Sequence, residues 1–96
     1  MDPAPTVQRR TYHFSGRVQG VGFRYTAQHL VRSYPAVKGY VRNLRDGRVE
    51  MVAEGGEKDL DALLEALKRH MEGKIERLDV AKSKATGEFP DFSIRH

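Results

Sequence analysis

"VKGYVRNLRDGRVEMVAE", Val37 to Glu54, places two alternating apolar runs on either side of Asp46-Gly47. Asp-Gly between such runs is a strong hairpin signal, because both residues tolerate positive φ. The stretch reads as two strands, "VKGYVRN" and "RVEMVAE", joined by "LRDG". A hairpin in mid-chain leaves the fold to be decided by what flanks it.

On the N-terminal side, "RTYHFSGRV" alternates, with Tyr12 and Phe14 on one face and Thr11, His13 and Ser15 on the other. That is a half-buried strand. Phe23, Ala27, Leu30, Val31 and Tyr34 then recur at helical spacing. The helix is expected to end before Pro35, because the residue preceding a proline is pushed out of helical geometry. On the C-terminal side, Leu60, Leu63, Leu64, Leu67 and Met71 make a second amphipathic helix, with Gly73 as its C-cap. "ERLDVAKSK" follows as a strand carried by Leu78 and Val80, then the loop "ATGEFPD". The closing "FSIRH" is an optional short edge strand with Phe92 and Ile94 facing inward.

The order is β-α-β-β-α-β. Two helices with one apolar stripe each cover one face of a four-stranded antiparallel sheet, the ferredoxin-like split βαβ arrangement of the α+β class. The first crossover makes strands one and two parallel, with strand three between them. Their C-terminal ends then share one edge of the sheet. The loop "GRVQGVG" and Asn43 are therefore expected as neighbours, two strand spacings or roughly 10 Å apart.

Composition bounds the function. The 96 residues make one domain, expected over 9–96 after a frayed tail at 1–8. The absence of cysteine excludes disulfides, thiolate zinc sites and a Cys nucleophile. No apolar run is long enough to span a membrane. The opening "MDPAPTVQ" lacks the charged start and apolar run of a signal peptide, which favours the cytoplasm. The formal charge of +4 favours anionic partners, from phosphorylated metabolites to nucleic acid, although acidic and basic residues are interspersed. A monomer is the default for a single small domain with charged helix faces.

"GRVQGVGFR", Gly16 to Arg24, runs from a strand into a helix N-terminus. Such a junction offers free backbone N–H groups and the positive end of the helix dipole. Gly16, Gly20 and Gly22 let the backbone approach a ligand closely and form a nest for an anion. Arg24, in the first helical turn, presents a planar fork of donors suited to phosphate. The glycines equally suit a plain tight turn. The Walker A pattern is absent, and the Gly16, Gly20, Gly22 spacing does not fit the dinucleotide-binding pattern. Asn43 likewise has two readings: turn chemistry before the hairpin, or an amide that holds a water by its carbonyl and leaves it free to attack. The histidines His13, His29, His70 and His96 are scattered with no metal-ligand spacing and read as structural or surface residues. His13 is expected on the solvent side of its strand.

"GRVQGVGFR" followed by "GYVRNLRDGRVEMVAEG" resembles the acylphosphatase family. That family carries a Gly-x-Val-Gln-Gly-Val-x-Phe-Arg loop and then a Gly-Trp-Val-x-Asn-x-x-Asp-Gly-x-Val-Glu hairpin, and "FSIRH" is similar to its last strand. The resemblance covers nearly the whole chain after the tail. It implies the ferredoxin-like fold and hydrolysis of acyl phosphates to a carboxylate and inorganic phosphate. It places the phosphate-binding arginine at Arg24 and the water-orienting asparagine at Asn43. It places the phosphate cradle on the backbone of Gly16, Arg17, Val18, Gln19, Gly20, Val21, Gly22 and Phe23. Tyr40 stands where the family usually has Trp, Gly73-Lys74 replaces its usual Gly-Pro, and the chain closes on His96. None of the three is expected to touch Arg24 or Asn43. Since a carboxylate leaves readily and the phosphate itself can take a proton, neither a metal nor a cofactor is expected.

Two other classes compete. RNA-recognition domains share the β-α-β-β-α-β order, and "KGYV" imitates the start of their aromatic signature. That signature belongs on the third strand, however, and here it falls on the second, so nucleic acid is not an expected partner. A non-catalytic anion-binding regulatory domain would keep Arg24 but have no need of Asn43. The expected partner is a small acyl phosphate.

Overall fold

The computed structural model of the chain describes residues 7–96. Its elements are β1 (Val7–Gly16), α1 (Phe23–Val31), β2 (Lys38–Asn43), β3 (Val49–Gly56), α2 (Glu57–His70), β4 (Ile75–Lys84) and β5 (Phe92–Arg95). Of the tail expected at 1–8, residues 1–6 lie outside the described residues, while Val7 and Gln8 belong to β1.

The sheet has five strands in the order β4-β1-β3-β2-β5. Strand β3 lies between β1 and β2 and is antiparallel to both, so β1 and β2 run in the same direction. The optional fifth strand is real. It pairs parallel with β2, Val41 against Ile94, which makes the sheet mixed rather than purely antiparallel. Phe92 and Ile94 pack against the core as their alternation predicts.

Period-two burial fixes which face is covered. Tyr12, Phe14, Val41, Val49 and Met51 are fully buried under the helices, and so are Ala27, Leu60, Leu63 and Leu67 from the helix side. Because Tyr12 and Phe14 point into this core, they supply no aromatic platform of the RNA-binding kind. Arg10 shares their face and is buried. Its guanidinium pairs with Asp61 and with Glu57 (3.5 Å), pinning the first turns of α2 to β1. Val80 departs from expectation. It is on the covered face, opposite Tyr12, yet stays exposed because neither helix packs closely over β4. Leu78 does reach the core.

Three expected element ends are refined. Helix α1 stops at Val31, and Arg32, Ser33 and Tyr34 continue it as tighter turns whose N–H groups bond three residues back. Helix α2 is capped at Met71, so Gly73, with φ +81, instead sits in the turn closed by Lys74 N to Met71 O (2.9 Å). In the β2–β3 turn only Gly47 is left-handed, with φ +95. Its N–H reaches Leu44 O and Leu44 N–H reaches Arg48 O (2.8 Å), a three-residue loop rather than the two-residue form. Asp46 contributes its carboxylate, which accepts from Arg48 N–H at 3.1 Å.

The opposite face of the sheet is crossed by residues 85–91. Glu54 accepts the N–H groups of Thr86 and Gly87 (both 2.9 Å), together with Arg9 Nε (2.7 Å). Burial pushes the Glu54 carboxyl up, but these donors outweigh it and hold its pKa down to about 2. His13 lies on this face as expected, half-buried and bonded to Glu50 (2.9 Å). Tyr40, in the family's Trp position, packs edge-on against Phe89, donates its hydroxyl to Glu50 and carries the Arg95 guanidinium 3.9 Å above its ring. Among the described residues, no helix is long and apolar enough to cross a membrane.

A candidate anion site at the head of helix α1

The segment Arg17–Gly22 is held from inside. Val18 is fully buried, Val21 packs against the core, and Phe23 is buried with its ring 4.7 Å from that of Phe14. With these side chains turned inward, the backbone between them faces outward.

Gly16 has a different task from the other loop glycines. It lies at the register shift between β1 and β4, where a Cβ would stand 2.5 Å from Lys74 O and 2.8 Å from Glu76 N. Glycine is needed there for strand contact. The N–H of Arg17 is also taken, by Lys74 O at 2.8 Å. The Arg17 amide thus points to the turn before β4 and not to the outer side of the loop.

From Val18 to Tyr25 the picture reverses. Among the described residues, these N–H groups have no backbone or side-chain acceptor. Gly22 caps α1 in the left-handed conformation (φ +80), and no side chain caps the helix. The first turn of α1 holds no acidic residue, whereas α2 has Glu57 and Asp59 in its own. The positive end of α1 is thus left uncompensated, which favours an anion.

Of this stretch, Val18, Gly20, Gly22, Phe23, Arg24 and Tyr25 line a cavity of about 170 Å³. Gly20, Gly22, Phe23 and Arg24 border it from the loop and helix, and Asn43 borders it from the end of β2. The shared-edge geometry inferred from topology is therefore present. Asn43 follows the parity of Gly39 and Val41 toward the helix layer. The turn uses Leu44 and Arg48 and leaves the Asn43 side chain out. Among the described residues the Asn43 amide has no partner, and Arg24 has no carboxylate in ion-pair range.

Two contacts were not foreseen. Gln19, expected as part of the cradle, uses its side chain elsewhere: Nε2 donates to Leu44 O (2.7 Å) and Arg48 O (2.9 Å). A residue with two donors, in a loop placed by topology beside the hairpin turn, was the available signal. His96 was expected to touch neither site residue, yet its Nδ1 lies 3.4 Å from the Arg24 guanidinium. Strand β5 runs parallel to β2 and so ends at the same edge of the sheet.

Fold and site together define a small ferredoxin-like α+β domain with unpartnered N–H groups, Arg24 and Asn43 gathered at a strand-to-helix junction. The acylphosphatase family model matches residues 10–94, and this chain belongs to the acylphosphatase family. It is 45% identical over 87 residues to an acylphosphatase of Paenarthrobacter aurescens, covering 90% of this chain and 92% of that one. It is 44% identical to one of Methylococcus capsulatus, covering 83% and 87%. The crystal structure of acylphosphatase from Bacillus subtilis superposes with a TM-score of 0.82 at 38% identity, covering 95% of this chain and all of that one.

Proposed function

We propose that this chain hydrolyses acyl phosphates by in-line attack of water on phosphorus, with Arg24 and the loop holding the phosphoryl group and Asn43 orienting the water. One observation carries the reading. Unpartnered N–H groups, a guanidinium free of carboxylates and an unpartnered amide surround a single cavity. A non-catalytic anion-binding domain would have no use for the amide.

The phosphoryl oxygens accept from the N–H groups of Val18 to Phe23 and from Arg24. Asn43 Oδ1 accepts one hydrogen of the water, leaving an oxygen lone pair directed at phosphorus. The new P–O bond forms as the bond between phosphorus and the acyl oxygen breaks, and that electron pair leaves with the carboxylate. The water's proton passes to a phosphate oxygen. Charge in a loose transition state spreads over the equatorial oxygens, where the same preorganised donors stabilise it. No general base and no metal enter this scheme.

The test is hydrolysis of acetyl phosphate with a chelator present. Turnover well above background, unchanged by chelator, is the expected result. Turnover that disappears with chelator, or none from folded protein, would defeat the proposal.

A further inference from the structure

The donors around the cavity serve the phosphoryl half of the substrate, and the acyl half needs an apolar surface of its own. Of the side chains lining the cavity, Val18 and Phe23 are buried, Arg24 and Asn43 are polar, and Tyr25 alone presents an exposed apolar face. Asn43 approaches the phosphorus from the strand side, so the leaving carboxylate departs away from the strand, toward the loop and α1.

Tyr25 lies there. It directly follows Arg24 in the first turn of α1 and lines the same cavity, yet it is 65% exposed. Among the described residues, the other large exposed apolar side chains are Val7 and Val80, on β1 and β4 and outside the cavity. No ring–ring contact or side-chain hydrogen bond holds Tyr25 among the described residues. Its ring contributes little to the core and is left as an open apolar face beside the phosphate donors.

We propose that Tyr25 is the residue that recognises the acyl group, stacking on a flat apolar acyl chain as it leaves the cavity mouth and so favouring aromatic over small aliphatic acyl phosphates. The inference rests on the proposed phosphoryl site. An aromatic acyl group gains area burial and an offset ring contact on Tyr25, whereas an acetyl group is too short to reach across the ring.

The test compares kcat/KM for benzoyl phosphate and acetyl phosphate in wild type, Tyr25→Ala and Tyr25→Phe. In Tyr25→Ala the benzoyl-to-acetyl ratio is expected to fall about tenfold, the size of one aromatic contact, mainly through the benzoyl phosphate KM. Tyr25→Phe keeps the ring and is expected to retain the ratio within about twofold. Inhibition by inorganic phosphate, which has no acyl group, is expected to stay the same in all three. A ratio unchanged in Tyr25→Ala overturns the inference while the phosphoryl site stands. So does a phosphate inhibition constant that shifts along with the ratio. Wild type that turns over neither substrate defeats the phosphoryl site itself, and the inference with it.

Discussion

The Gln19 side-chain amide donates to the carbonyl of Leu44 at 2.7 Å, and its second hydrogen reaches Arg48 O at 2.9 Å. Leu44 directly follows Asn43. Gln19 thereby ties the loop proposed to hold the phosphoryl group to the strand end proposed to hold the water. The two parts of the site arise from different elements, α1 with its preceding loop and the β2–β3 hairpin, and this side chain bridges them.

Replacing Gln19 with Leu removes both bonds and keeps much of the volume. Misplacement of the water by even 1 Å costs up to about a hundredfold in rate. We expect kcat to fall between about tenfold and a hundredfold, with inorganic phosphate binding changed by less than about threefold. Stability should drop by about 1–2 kcal/mol for the two lost hydrogen bonds, since both carbonyls keep a backbone donor. Steady-state kinetics with phosphate as inhibitor, alongside urea denaturation, measures both.

Gly16 and Gly22 separate close contact from conformation. Gly16→Ala forces a methyl to 2.5 Å from Lys74 O at φ +118, so β1 and β4 must part. Gly22→Ala meets nothing within 4 Å and bears only the left-handed conformation, a cost of about 1–2 kcal/mol. We expect Gly16→Ala to destabilise by about 3 kcal/mol or more, at the upper end of single substitutions. Urea midpoints of the two variants should rank in that order.

The depressed pKa of Glu54 gives stability a pH dependence. A carboxylate held at about 2 in the fold and near its ordinary 4.5 when unfolded contributes in full above pH 4.5. Between 4.5 and 2 the unfolded chain binds the proton first, so that contribution is lost as pH falls. At about 1.4 kcal/mol per pKa unit, the shift corresponds to on the order of 3 kcal/mol. Glu54→Gln removes this carboxylate's titration. Its denaturation midpoint should therefore fall less steeply than that of wild type from pH 5 to pH 2.

How far the fold could be read in advance depended on how local its causes are. The β-α-β-β-α-β order followed from period-two and period-3.6 patterning around Asp46-Gly47, because those patterns record which face is buried. The fifth strand showed as alternation in "FSIRH", but its parallel pairing with β2 depends on the path of residues 85–91, held by Glu54 across the open face. Val80 alternated correctly and stayed exposed, since no local signal says how far α2 reaches over an edge strand. In the site, strand order put Arg24 and Asn43 at one edge, where both line one cavity, while their expected roles came from the resemblance to the acylphosphatase family. The occupied Arg17 amide, the Gln19 bridge and the approach of His96 to Arg24 depend on contacts among elements far apart in sequence.

The proposed division of labour between Arg24 and Asn43 is tested most directly by measuring kcat and the inorganic phosphate inhibition constant in Arg24→Ala and Asn43→Ala. Loss of the Arg24 guanidinium is expected to weaken phosphate binding by about a hundredfold, with turnover falling alongside, as for truncation of one partner of a charge-assisted pair. Asn43→Ala is expected to bind phosphate within about threefold of wild type while kcat falls about a hundredfold or more, the size of one lost transition-state contact. Wild-type turnover in Asn43→Ala, or undiminished phosphate binding in Arg24→Ala, would contradict the assignment.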